Sequence, residues 1–248
     1  MKKLVNILII VLLFSCNSEN AGDCFQSTGT IIQQELTVSG FDKILVNRDI
    51  ELIIKDGLVQ KLVIETGKNL LNDVEAVVVD GILILTDNNS CNYVRHYGIT
   101  KVYVTSPNIT EIRSSTQYDV HSDGVLTFPN LTILAEDYYA QDTFTNGNFR
   151  LEIDNNSFNA VFNNISNCFI SGKTTNLNIT LASGTSRFEA QNLIAQNVVF
   201  WNRSANDMIV NPQQSLTGRI SGTGNVISVT HPPVVDVQEV YKGRLIFN

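Results

Sequence analysis

The sequence predicts an all-β protein: a right-handed parallel β-helix, or β-solenoid, with an N-terminal antiparallel β-meander capping it. Three observations carry that prediction. Apolar and polar residues alternate with period 2 along most of the chain, and no helical period competes with them. Asp-Gly, Ser-Gly and Thr-Gly dipeptides punctuate the alternating runs of the first half. In the second half an apolar residue followed by a small polar cluster keeps returning. Ser183 to Asn202 and Asn202 to Ser221 are equal steps along the chain, and Glu136 to Asn155 matches them. A strand-rich repeat of roughly 20 residues marks a stacked coil, because one such unit cannot bury its apolar face alone. The step from Asn155 to Ser183 is longer than the others, so either one rung carries an insertion or the register slips there.

Composition narrows the classes. The 248 residues are 43% hydrophobic and 17% charged, below the roughly 25% charged of an average soluble protein. Neutral Asn, Ser and Thr fill the gap, as suits polar turns and exposed strand faces. Net charge is -7, and without Lys2 and Lys3 the balance is 15 basic against 24 acidic residues, or -9. No Lys/Arg cluster occurs, which argues against nucleic acid as a partner. The same acidity disfavours direct attraction to anionic headgroups.

Residues 1–15 read as a lipoprotein signal peptide. Met1-Lys2-Lys3 is a positive start, and Leu4 to Phe14 is an apolar run broken only by Asn6. That run is too short for a membrane span, which needs about 20 residues. It ends in Leu13-Phe14-Ser15-Cys16, which resembles the lipobox of bacterial lipoproteins. The resemblance implies removal of residues 1–15 and lipid modification of Cys16, so the membrane becomes a partner through the N-terminal lipid. Residue 17 is Asn, not the Asp that retains some lipoproteins at the inner membrane, which favours an outer membrane address with a periplasmic or surface-exposed face. Residues 16–27 are a short polar tether.

Cys24, Cys91 and Cys168 then remain, an odd number that allows at most one disulfide. Cys24 with Cys91 is the preferred pair, since both lie in the first half and the compartment is oxidising. The alternative is that all three are small buried residues. No Cys-x-x-Cys spacing supports a metal or redox site.

Residues 28–106 are expected to form the antiparallel β part. Alternating runs include Lys43–Val46, Ile50–Ile54, Lys61–Glu65, Ala76–Val79, Ile82–Leu85 and Lys101–Val104. Asp56-Gly57 and Asp80-Gly81 between such runs are hairpin cues, because both central residues of a type I′ turn need positive φ. Lys68 to Asp73 suggests one helical turn. Asp87 to Gly98 breaks the rhythm with a loop of about 12 residues. Its Tyr93, Arg95 and Tyr97 are the candidate binding residues, since Tyr and Arg make interface hot spots. The plainer reading is an excursion pinned by Cys91.

Residues 107–248 carry the solenoid repeats. Here a family resemblance enters, on Phe41–Val46, Ile50–Ile54, Val102–Ile109 and above all Ile220-Ser-Gly-Thr-Gly-Asn-Val226. Together these resemble the head GIN domain family, lipoproteins of Gram-negative bacteria classed with auto-transporter adhesins. The resemblance covers about residues 40 to 230 and implies a β-solenoid and a cell-surface, adhesive role. It brings no catalytic residues. In the Ser221–Asn225 turn, Gly222 and Gly224 are expected to take positive φ, with polar side chains bonding nearby amides. Leu151, Phe158, Leu177, Leu181, Phe188, Val198 and Leu216 are expected inside.

Sequence motifs for chemistry are thin. Ser171-Gly172-Lys173-Thr174 mimics the tail of a phosphate-binding loop, but its first Gly would be residue 167, which is Asn. His96, His121 and His231 are far apart and not at metal-ligand spacing. No catalytic residue, cofactor or metal is expected. The rival reading is a β-helix polysaccharide lyase or hydrolase built on Glu136, Asp137, Asp142 and Asp154 with Arg150 and Arg187 nearby. The favoured function is a non-catalytic binding, adhesion or structural module whose partner is a glycan or an envelope or host protein. In Tyr138-Tyr139 and Phe200-Trp201, one residue of each pair should face outward.

Overall fold

The computed structural model describes residues 23–89, 91–138 and 143–248. The signal peptide, Cys16, most of the tether, Tyr139 and Asp142 lie outside the described residues. The described residues form an all-β fold in one curled, mixed sheet of 18 strands. Among the described residues there is no α-helix, only 3-10 turns at Asp23–Phe25 and Leu71–Asp73. The second of these falls in the segment where one helical turn is expected.

The first nine strands are β1 (Ile31–Leu36), β2 (Lys43–Asn47), β3 (Ile50–Asp56), β4 (Lys61–Gly67), β5 (Val74–Val79), β6 (Ile82–Asp87), β7 (Thr100–Ser106), β8 (Glu111–Ser115) and β9 (Val120–Leu126). The other nine are β10 (Asn130–Ala135), β11 (Phe149–Phe162), β12 (Cys168–Leu181), β13 (Phe188–Asn202), β14 (Met208–Val210), β15 (Pro212–Ile220), β16 (Val226–Ser228), β17 (Val234–Glu239) and β18 (Leu245–Phe247).

The expected N-terminal meander is replaced by mixed pairing. Antiparallel ladders join β1 to β4, β4 to β7 and β5 to β6. By contrast β2 pairs in parallel with β6 and β8, and β3 in parallel with β7 and β9. Asp80-Gly81 does make the β5–β6 hairpin, with φ of 50° and 78° at its two residues. Asp56-Gly57 does not: neither residue has positive φ, and β3 and β4 flank β7 on opposite sides. Without the left-handed pair the chain cannot reverse in so tight a turn.

From β8 onward every pairing is parallel. β11 lies on β12, β12 on β13, β13 on β15 and β15 on β17, with β14, β16 and β18 forming a shorter parallel run. Phe158 faces Leu177, Leu177 faces Val198 and Val198 faces Leu216, each step close to the repeat of roughly 20 residues expected of a stacked coil. The longer step comes earlier than the sequence suggests. Leu131 faces Phe158 across a clearly larger separation, so the insertion lies between β10 and β11 and not between Asn155 and Ser183. Glu136 therefore does not align with Asn155, which sits mid-strand opposite Thr174. Instead Asp137 meets the next turn, where Asn163 Nδ2 donates to Asp137 Oδ1 at 2.5 Å.

These registers stack apolar side chains into columns. Val120, Phe149, Cys168, Phe188, Met208 and Val226 follow one another across successive strands, all fully buried. Leu131, Phe158, Leu177, Val198 and Leu216 form a second buried column. All seven expected interior residues are buried. One contiguous core runs from Phe41 to Val226, and burial of each large side chain contributes about 1.5–3 kcal/mol. Cys168 is free and buried within it, and desolvation pushes its thiol well above the usual range.

The glycine turn works differently from expectation. Neither Gly222 nor Gly224 has positive φ. What they supply is room, since a Cβ on Gly222 would collide with the Ser204 carbonyl and one on Gly224 with the Asn206 carbonyl. Gly222 N and Gly224 N donate to Asn202 O and Ser204 O, both at 3.1 Å, closing one turn directly onto the turn before it. The Ser171–Thr174 run lies inside β12, not in a phosphate-cradling loop.

Candidate functional site

Two surfaces stand out, the loop singled out by sequence and a face that sequence reasoning missed. The loop joins β6 to β7. Cys24 and Cys91 form a disulfide across 67 residues, and Tyr93 N donates to Cys24 O at 2.9 Å. Arg95 turns its guanidinium inward, donating to the carbonyls of Cys91 (2.8 Å), Gln26 (3.2 Å) and Asn89 (3.3 Å). Asn92 bridges it from the other side, accepting from Arg95 N at 2.9 Å and donating to Arg95 O at 2.8 Å. Arg95 thus braces the loop, while Tyr93 and Tyr97 project from it, 75% and 74% exposed. Tyr97 Oη donates back to Asn92 O at 3.3 Å, and the Tyr93 ring packs on Phe25 with centroids 5.7 Å apart.

At the root, Asp87 accepts from Thr100 Oγ1 at 2.6 Å and from Asn89 Nδ2 at 2.7 Å. The cavity behind the loop is about 60 Å³, far below the roughly 300 Å³ of a small-molecule pocket. Nearby Tyr118 has its phenol pushed up by burial, with Asp49 and Tyr97 adding to the effect. The loop is a braced surface feature with its aromatic rings outward. Replacing Cys91 by serine removes a cross-link that typically contributes about 2–4 kcal/mol. The expected result is a lower urea midpoint together with faster proteolysis between residues 88 and 98.

The second surface lies on β11, β12 and β13. Strand alternation sends Arg150, Glu152 and Asp154 of β11 outward, and register sets Arg150 beside Phe169 and Phe169 beside Glu189. The Arg150 guanidinium sits 4.5 Å over the Phe169 ring and its Nε donates to Asp119 Oδ2 at 2.7 Å. Arg187 pairs with Glu189 at 2.7 Å. The β11–β9 and β12–β13 ladders shift register at Arg150/Glu152 and Phe169/Ser171. Such bulges bend strands, and here a shallow concavity of about 370 Å³ results, lined by Arg150, Phe169, Ser171, Gln191 and Asn192 among others. A neighbouring one of about 360 Å³ on the same strands is lined by Asp154, Asn156, Lys173, Thr175 and Gln196. Further along, Trp201 faces outward while Phe200 is buried, and Trp201 Nε1 donates to Ser221 Oγ at 3.1 Å. Arg150, Phe169 and Glu189 face one another on successive parallel strands, so a correct strand register would have revealed them.

Two acids of the rival enzyme are held by separate partners. Glu136 is buried against Arg113 at 2.7 Å, and Asp137 holds Asn163 and Asn164. Asp154 lies mid-strand on β11, and Asp142 is outside the described residues. His121 lies 3.6 Å from Glu51, and the His231 ring stacks on Phe247. Among the described residues no three metal-ligating side chains cluster. No helix among them is long and apolar enough to cross a membrane.

An all-β module with polar faces built on successive strands is the class that fold and surface define. The chain belongs to the family described as "Putative auto-transporter adhesin, head GIN domain", whose sequence profile matches residues 40–232. The chain is similar to the crystal structure of "a putative adhesin" from Bacteroides fragilis NCTC 9343, at 20% identity and a TM-score of 0.77, covering 90% of this chain and 99% of that one. It is also similar to "a putative adhesin" from Parabacteroides merdae ATCC 43184, at 15% identity and TM-score 0.58, over 90% and 98% of the two chains. A "putative lipid binding protein" from Parabacteroides distasonis ATCC 8503 aligns at 14% identity and TM-score 0.61, over 89% and 98%. At these identities the likeness is one of fold. A search of curated proteins finds no match.

Proposed function

We propose that this chain is a cell-envelope lipoprotein of the outer membrane, anchored through acylated Cys16, and that its head is a right-handed parallel β-helix that binds without catalysis. In this reading residues 1–15 are removed, residues 16–27 are the tether, and residues 28–106 close one end of the coils formed by 107–248. The observation that carries the binding role is the outward face of β11–β13, where two shallow concavities lie on the same three strands. Such a face suits an extended ligand, a glycan chain or a strand of an envelope or host protein, which would meet the Phe169 ring, amides and fixed charges along one line. The adhesin descriptions of the family and of two structural neighbours support this reading.

The anchor is tested in cells fed an alkyne fatty acid. The wild-type chain is expected to take up label and fractionate with membranes, and Cys16→Ser to lose both. An unlabelled wild-type chain would remove the anchor from the proposal. The head is tested on a panel of glycans and envelope proteins. Any ligand retained by wild type is expected to bind at least tenfold more weakly to Arg150→Ala/Phe169→Ala, with thermal stability measured alongside. Undiminished binding would move the ligand off this face.

A further inference from the structure

We infer that the loop carrying Tyr93, Val94 and Tyr97, with Phe25 beside it, is a membrane-docking surface that sets the head down on the bilayer to which the chain is anchored. The inference rests on the acylation of Cys16 proposed above. Its first support is exposure. Phe25 (57%), Tyr93 (75%), Val94 (56%) and Tyr97 (74%) are all largely solvent-accessible, a concentration of apolar surface that the core does not need.

Residue type is the second support. Phenol rings place an apolar body against acyl chains and a hydroxyl among headgroups, which is why Tyr is enriched at membrane interfaces. The third is charge. Residues 88–98 contain Arg95 and His96 but no Asp or Glu, in a chain whose net charge is -7. The loop segment itself brings no carboxylate to headgroups; the nearest along the chain are Asp87 at its root and Asp23 beside Cys24.

Position decides the occupant. The Cys24–Cys91 disulfide and the Tyr93–Cys24 hydrogen bond fasten the loop to the first described residues of the head. The chain from Cys16 to Cys24 is short, with a reach of at most about 28 Å when fully extended. The acyl chains therefore hold the rings beside the bilayer, and docking becomes an intramolecular step at high effective concentration. A patch too weak to recruit a free protein is then strong enough to orient a tethered one. The inward-facing Arg95 has a purpose under this reading: it stiffens the loop so that the rings, and not the guanidinium, meet the surface.

The test uses the full acylated protein reconstituted into phosphatidylcholine vesicles with brominated acyl chains, which quench only fluorophores at the membrane. The chain has one tryptophan, so wild type reports from Trp201 and the Trp201→Phe/Tyr93→Trp variant from the loop. Intact mass confirms acylation of each sample. Residue 93 is expected to be quenched several-fold more than Trp201 and to be shielded from aqueous iodide. Acylated protein in which residue 93 is unquenched and open to iodide would overturn docking while leaving the anchor standing. The same lack of quenching with iodide shielding would instead assign the patch to a protein contact, and docking would again fall. A wild-type chain without acyl groups would overturn the anchor and docking together.

Discussion

Arg113→Met is expected to lower the free energy of unfolding by about 3–5 kcal/mol, the usual cost of stripping one partner from a buried ion pair. Arg113 Nη1 lies 2.7 Å from Glu136 Oε1, and the Glu136 side chain is only 5% exposed. The same nitrogen also donates to Glu136 O at 3.3 Å, where the chain leaves β10. Without the guanidinium the Glu136 carboxylate loses a cationic partner in a poorly hydrated site. Urea denaturation of wild type, Arg113→Met and Arg113→Met/Glu136→Gln separates the causes. The double variant is expected to regain most of the loss, since an uncharged amide no longer needs the cation. Equal destabilisation of both variants would mean that lost packing, not stranded charge, is responsible.

Gly224→Ala is expected to cost about 3 kcal/mol, at the upper end for overpacking. Its Cβ would meet the Asn206 carbonyl, which is backbone and belongs to the turn beneath, so no side chain can swing aside. Gly40→Ala is the comparison. That glycine has open space around it but φ of +80°, so only the left-handed penalty of about 1–2 kcal/mol applies. Thermal unfolding of the two variants should rank them in that order. A Gly224→Ala protein as stable as Gly40→Ala would show that the turns are free to part.

How far sequence can reach is clear from particular elements. The strands are legible because burial alternates wherever period 2 does, as in β7, whose residues alternate buried and half-buried from Thr100 to Ser106. Partners are less so, because successive side chains point to opposite faces of a strand whichever way its neighbour runs. Asp80-Gly81 reads correctly as a hairpin, while the identical dipeptide at Asp56-Gly57 leads to a crossover. The difference lies in where β4 packs, which no local signal encodes. The repeat is visible but its register slips at the stretch between Ala135 and Phe149, since polar Asn-rich turns and polar outward strand faces share one composition. That slip hides the neighbours Arg150, Phe169 and Glu189, which come together only once each strand is laid on the next. The loop of Tyr93 and Tyr97 announces itself by interrupting a pattern. The inward role of Arg95 does not, because it depends on carbonyls brought from Gln26, Asn89 and Cys91.

The parallel registers also restrict how a gene of this kind can change length. Successive strands meet at near-constant offsets, roughly 20 residues each, in the Phe158–Leu177–Val198–Leu216 column. Loss or gain of a single position inside a strand would turn its inward side chains outward unless a bulge absorbs it, as between Phe169 and Ser171. Duplication or excision of a full storey, in contrast, would leave every column continuous and every turn seated on another turn. Surplus length would be easier to accommodate in the connections between strands, as in the long one between β10 and β11. Descendants of such a gene should therefore differ by units of roughly 20 residues, or by the size of the long connections between strands.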